Sequence, residues 1–354
     1  MKNISPLGLF DNHFQLEKLS KLKDPLEKLN KYINWKIFEA KLNEVFSGLN
    51  KDMSKGGRPA FNRLMMFKAF VIQSYYNLSD DQLEYQILDR ASFKRFLGLK
   101  NSDRVPDSKT FWLFRDQLMK SGVLDELWQS FLTALDNAGV LGSAGKIVDA
   151  SFVEAPRQRN NKDDNDHIKK TGQAPEEWEN NPNKLAQKDI DARWTIKNGE
   201  RHYGYKDHIV ADAKTKLITG YVVTNASVHD SQVIGQLITE KEAGQDLYGD
   251  SAYKGEPQDK IYREKNVMPK INEKGYRNKP LTDEQKSNNR AKSKIRARVE
   301  HVFGFIENSM RGSFIRTIGM KRAKVKICLM NLTYNLFRLV QLNLKLNENW
   351  LIEG

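Results

Sequence analysis

Cys328 is the single cysteine among 354 residues. An intramolecular disulfide and a cysteine-based zinc knuckle are therefore excluded. Histidine does not fill the gap. His202 and His208 flank one strand-like run and His229 follows another, none at the spacing of a zinc-binding helix. Long apolar runs are also missing. Met1–Lys21 lacks the apolar core of a secretory leader. The most apolar late stretch, Ile327–Leu344, is broken by Asn331, Asn335 and Arg338 and reads as a packed terminal helix rather than a membrane span. The expected setting is the bacterial cytoplasm, with no membrane partner. Acid is the scarcer charge: 45 Asp plus Glu face 58 Lys plus Arg, for a net +13. From Arg290 to Lys326 there are eleven Lys or Arg and two acids, Glu300 and Glu307. Clustered positive charge of this kind is the footprint of a nucleic-acid surface.

The period of the apolar residues changes near residue 140. Before it, Leu64, Phe67, Phe70, Val71 and Tyr75 recur at helical spacing, and Ser79-Asp-Asp-Gln82 reads as a capping box ahead of Leu83, Ile87 and Leu88. Pro106-Asp-Ser108 introduces a further helix through Phe111, Phe114 and Leu118. Residues 1–140 thus form an all-helical region, suited equally to DNA binding and to assembly. From Lys146 the pattern is that of strands at Lys146–Val153, Gly204–Ala211, Leu217–Thr224, Asp246–Asp250 and Val267–Ile271, with Asp212-Ala-Lys-Thr-Lys216 as a turn. Three strands followed by alternating strand and helix give an α/β fold, a mixed sheet covered by helices, over 145–354. Two polar stretches, 157–201 and 272–292, interrupt it and are expected to be surface loop for most of their length.

Three acids stand in settings that call for explanation. Asp149 lies within the apolar run Ile147-Val-Asp-Ala, where an unpaired carboxylate is costly. An edge-strand surface position is the plain alternative. Asp250 ends a short strand, where open sheets build their sites, and is equally suited to cap the following helix. Glu300 falls on the flank of the helical stripe Ile295, Val299, Val302, Phe303, Ile306 and Met310, one turn from Arg296. Its plain alternative is an i,i+4 ion pair. Glu307 shares that flank, about 10.5 Å further along the axis, too far to share one ion with Glu300. Oxygen ligands alone suit hard divalent cations such as Mg²⁺. Two such ions about 3.5–4 Å apart can activate the attacking oxygen and stabilise the leaving one. Lys206, Arg296 and Arg298 are candidate phosphate contacts. Trp194, in the first polar stretch, could stack on an unpaired base, although packing on the sheet explains it as well. His208 and His229 are candidates for an accessory role.

Ile147-Val-Asp149-Ala, Asp191-Ala-Arg-Trp194, Tyr203-Gly-Tyr-Lys206-Asp-His208, Val228-His-Asp230, Gly249-Asp-Ser-Ala-Tyr253 and Arg296-Ala-Arg-Val-Glu300-His-Val-Phe303 occur in this order. With Gly57-Arg-Pro, Tyr76-Asn-Leu-Ser79, Phe96-Leu-Gly-Leu99 and Val105-Pro-Asp107 upstream, the chain resembles DDE transposases of bacterial insertion sequences. The likeness is to the IS-five type within the IS-four-like superfamily. The resemblance implies an RNase H-like catalytic domain with Asp149, Asp250 and Glu300 as the acidic triad, holding two Mg²⁺ ions, with Mn²⁺ as substitute. It implies binding of terminal inverted repeats, cleavage at the element ends and joining of the 3′-hydroxyl to target DNA. It also implies a homodimer or higher oligomer in a synaptic complex, associated with the nucleoid when DNA is bound. Two positions depart from the family pattern. Ser293 stands where the family has Tyr, and Glu307 where it has Lys; Arg311, one turn on, is placed to substitute as a phosphate contact. Two alternatives remain: a transposase-derived DNA-binding protein without catalysis, and an RNase H-like structure-selective nuclease.

Overall fold

The computed structural model describes residues 8, 10–46, 59–142, 144–277 and 279–343, so Gly57 and Arg58 of the upstream motif lie outside the described residues. The chain divides into two compact units. One comprises Met1–Ala134 with the residues from Leu336 onward, the other Leu135–Asn335.

Among the described residues the first unit is helical: α1 (Asp11–Lys21), α2 (Pro25–Tyr32), α3 (Lys36–Phe46), α4 (Arg63–Tyr76), α5 (Asp80–Asp89), α6 (Ala91–Leu97), α7 (Ser108–Ser121) and most of α8 (Val123–Asn137). Local chemistry sets the ends. The Asn62 side chain caps α4 by accepting the Met65 N–H at 2.8 Å, and α4 stops at Asn77, whose φ of 47° is left-handed. Ser79 and Gln82 exchange the two bonds of the expected capping box at the start of α5. Asp107 caps α7 through the Thr110 N–H at 2.7 Å. Between these ends the apolar stripes interlock, with Phe38, Phe67, Phe70, Phe111 and Phe131 fully buried. Arg115, behind Phe70, is held by Asp80 and Gln73.

The second unit is built on a mixed sheet of β1 (Lys146–Glu154), β2 (Arg193–Lys197), β3 (Glu200–Asp212), β4 (Ile218–Asn225), β5 (Asp246–Gly249) and β6 (Met268–Ile271). β3 pairs antiparallel with β1 and β4, while β5 runs parallel to β1 and β6 parallel to β5. The spatial order β4-β3-β1-β5-β6 is the RNase H-like arrangement, so the fold class is as expected. The turn after β3 closes on Asp212, whose carboxylate accepts the Lys214 and Thr215 N–H groups at 3.0 and 2.7 Å.

Because side chains alternate along β1, its two faces meet different partners. Val148 joins Val210, Leu247, Tyr253 and Tyr262 in a core covered by α12 (Ile234–Leu237) and α13 (Glu256–Glu264). Asp149 and Ser151 face the other way, toward the C-terminal helices. Those are α14 (Asp283–Arg296), a 3₁₀ turn Ala297–Val299, α15 (Glu300–Gly304), a π turn Phe305–Ser309 and α16 (Met320–Asn343). The expected stripe is buried at Val299, Val302, Ile306 and Met310. On α16, Asn335 pairs both backbone groups of Ile218 at 2.8 Å, as a neighbouring strand would. Among the described residues no helix is long and apolar enough to cross a membrane.

The first polar stretch departs from expectation. Residues 157–201 are not mostly loop: α9 (Lys162–Thr171), α10 (Glu176–Glu179), α11 (Pro182–Leu185) and β2 lie within it. Trp178, fully buried, gathers Ile168 and Ala174 into a small core of its own, with Leu185 and Ile190 at its edge. One large aromatic supplies enough apolar area to order a segment whose average composition is polar. The second stretch is ordered from Asp283, and Glu273 is pinned to α14 through Asn289 and Gln285.

Candidate active site

β1 and β5 create the site. Their parallel register ends at Ile147 opposite Tyr248; continued two places, it sets Asp149, inside β1, beside Asp250, the residue that follows the carboxyl end of β5. Asp149 accepts the Ala150 N–H at 2.9 Å and the Arg296 guanidinium at 3.1 Å. Burial pushes its carboxyl up to about 6, and the negative charge of Asp250 adds to the rise, against Ala150, Arg296 and Lys197. Asp250 caps the 3₁₀ turn Ser251–Tyr253 by accepting the Ala252 N–H at 2.8 Å. Its alternative as a cap is thus realised, and the same carboxylate still acts on Asp149.

Glu300 is the first residue of α15, exposed, directly after the 3₁₀ turn. What Asp149 meets from these helices is Arg296. Among the described residues no three His, Cys, Asp or Glu side chains are grouped closely enough to hold one ion. The structure therefore brings Asp149 and Asp250 together and leaves Glu300 out of the group. The helix bearing Glu300 is irregular on both sides, tightened at Ala297–Val299 and widened at Phe305–Ser309. Such irregularities are frequent at functional sites and hinges. Glu307, in the widened turn, accepts the Ser151 hydroxyl at 2.8 Å, two residues along β1 from Asp149.

The other predicted contacts divide. Arg298 is exposed but donates to the Ala213 carbonyl at 2.7 Å, which fixes it over the β3–β4 turn. Arg311 is exposed, in left-handed conformation at φ 53°. Lys206 is not at the surface. Its ammonium is buried on the opposite sheet face from Asp149, bonded to Asp230 at 2.9 Å and the Val228 carbonyl at 2.7 Å. His208 beside it is fully buried and bonded to Thr224 at 2.9 Å; burial lowers it to about 4, so it is neutral. His229, exposed, caps the turn Asp230–Gln232 with its own ring nitrogen. Trp194 is 46 % exposed, resting on Tyr203 across the hairpin with Arg157 over its ring.

Three residues of the site were given no role in the sequence reading. Tyr253 is fully buried, its hydroxyl has no hydrogen-bond partner, and burial plus the charges of Asp149, Asp230 and Asp250 drive its ionisation well above the usual range. Asp230 is thus a third carboxylate of this neighbourhood. Lys197, from β2, stands 3.9 Å from Asp230 and its charge also reaches Asp149. The motif Val228-His-Asp230 carried a signal for Asp230; nothing in the polar stretch distinguished Lys197.

A family model described as a transposase DDE domain matches residues 142–336, more than half of the chain. A second, described as a transposase domain, matches residues 14–117. Among solved structures, the chain is similar to one titled as a piggyBac transposase synaptic complex with hairpin DNA. The identity is 12 % and the TM-score 0.44, over 91 % of this chain and 76 % of that one.

Proposed function

The chain belongs to the transposase DDE domain family, and from that premise we propose that it cleaves the ends of an insertion sequence and joins them to target DNA. Residues 1–140 are assigned to DNA binding or assembly and residues 145–354 to catalysis, with terminal inverted repeats and target DNA as partners. The observation that carries this reading is the placement of Asp149, inside β1, beside Asp250, at the end of the parallel β5, with the Asp149 carboxyl raised by burial first and by the Asp250 charge in addition. Carboxylates forced together are stabilised by a shared cation, and a purely oxygen donor set fits Mg²⁺ or Mn²⁺. Asp149 and Asp250 would hold the ions, with Glu300 as the third ligand once α15 moves between its two irregular flanks. When bound, the two ions supply activation of the attacking oxygen and charge relief for the leaving 3′-oxygen.

The chain's own groups do the rest. Arg296 pairs with Asp149 at 3.1 Å and, with that carboxylate committed to a cation, would be free to contact a DNA phosphate. Arg298 and Arg311 hold the phosphate backbone and set register without reading sequence. Trp194 stacks on an unpaired base at the cleaved end. Lys206, through Asp230, fixes the turn packed against Ser251–Tyr253 and so holds Asp250 in place, with His208 and His229 as structural props. Synapsis of two ends needs a homodimer or larger oligomer. Asp149→Asn and Asp250→Asn are expected to abolish end cleavage in Mg²⁺ and to weaken Mn²⁺ binding measured by calorimetry. Undiminished cleavage in either variant ends the proposal. Salt-sensitive DNA binding by the native chain with no cation-dependent cleavage would favour a transposase-derived binding protein; cleavage of branched DNA without joining would favour a nuclease.

A further inference from the structure

The helical unit contains a cavity of about 630 Å³, lined among others by Phe61, Asn62, Lys68, Leu99, Asp103 and Arg104. That volume suits a small ligand. Lys68 is its unusual member. Its ammonium lies over two ring faces, 4.6 Å from the centre of Phe96 and 5.2 Å from Trp35. Ring faces attract a cation, yet they return only part of the hydration it loses. Partial burial lowers Lys68 to about 8, and among the described residues no charged neighbour shifts it. Asp103, exposed on the same wall, accepts the Lys100 N–H at 2.7 Å and makes no ion pair with Lys68. Arg104 adds a second cation, its guanidinium 4.3 Å from the Phe61 ring. The positive end of α4 opens at Asn62 and Leu64 on the same wall. A half-buried ammonium with no anion paired to it among the described residues, a guanidinium lining the same cavity and a helix start form an arrangement lacking one component, a compact anion.

We propose that this cavity is a phosphate site, in which Lys68 and Arg104 pair with a phosphate group carried by a DNA backbone or by a free nucleotide. The site is independent of the carboxylates on β1 and β5 and of the catalytic reading. A lysine kept for binding rather than folding has a recognisable consequence: replacing it should stabilise the chain while weakening the ligand.

The test uses the full chain with Lys68→Met and Lys68→Arg, and three probes: inorganic phosphate, AMP and a short random duplex. Reductively methylated Lys68, followed by NMR, is expected to respond saturably to phosphate. Lys68→Met is expected to raise the thermal midpoint and to remove the phosphate response, while Lys68→Arg retains it. If the phosphate is that of DNA, Lys68→Met weakens duplex binding at least about threefold and lowers the salt slope by about one. If it is that of a nucleotide, AMP saturates the site and the duplex slope is unchanged. Absence of response to all three probes overturns the proposal. So does a Lys68→Met variant with a lower midpoint and unaltered binding, which would make the ammonium a cation–π staple.

Discussion

Two carboxylates along β1 are handled in opposite ways. Opposite its first residue, Asp212 of β3 is buried and saturated: it pairs with Lys146 at 3.2 Å and accepts hydrogen bonds from Gly142, Lys214 and both donors of Thr215. Three residues further along the strand, Asp149 has one backbone donor and one guanidinium, with another acid beside it and its carboxyl raised to about 6. A charge held by many donors is an anchor. A charge left short of donors and pressed against its like is prepared for a ligand that the fold does not itself supply.

Substitutions of these two carboxylates should therefore separate stability from activity. Asp149→Asn is expected to lower DNA end cleavage by about a thousandfold or more, while its unfolding midpoint stays equal or rises. A variant that loses stability in step with activity would make Asp149 an anchor too. Asp212→Ala is expected to do the reverse, costing about 3–5 kcal/mol in urea unfolding because Lys146 is left buried and unpaired. A cost below about 1 kcal/mol would erase the contrast between the two carboxylates.

Asp207 sharpens it from within the same face. It lies opposite Ser151, fully buried, with one oxygen bonded to Asn331 and the other unbonded, and burial raises it to about 7. An acid raised on folding binds its proton more tightly in the native state. Its protonated form is therefore favoured on folding, and stability falls as pH climbs from about 4 to about 7. Asp207→Asn should remove that slope and raise stability at pH 8, since the new amide can donate to the unbonded Asn331 oxygen. Urea midpoints of both proteins at pH 5 and pH 8 are the measurement; equal slopes would refute it. The smallest effect is expected at Lys197. Removing this exposed ammonium with Lys197→Gln should tighten Mn²⁺ binding by no more than about fivefold, because surface charge is well screened. Weaker binding would mean that Lys197 acts other than through its charge.

Much of the frame was legible beforehand. The strands at Lys146, Gly204 and Leu217, the turn at Asp212 and the caps at Ser79 and Asp107 are local, each written within a few residues of where it acts. The insertion was not. Trp178 orders it by gathering Ile168 and Ala174, and a composition average hides a single well-placed aromatic. Lys206 was legible as a cation near the site but not as a buried one, since its partner Asp230 is 24 residues away.

Periodicity and turn chemistry, which act over a few residues, determined which segments became helix or strand and which acids interrupted them. Strand adjacency determined which charges meet. Asp149 acquired Asp250 because β5 docks parallel to β1, and Arg296 because α14 closes on the same face. Electrostatic energies depend on separation in space and on exclusion of water, and neither quantity exists until the chain has folded.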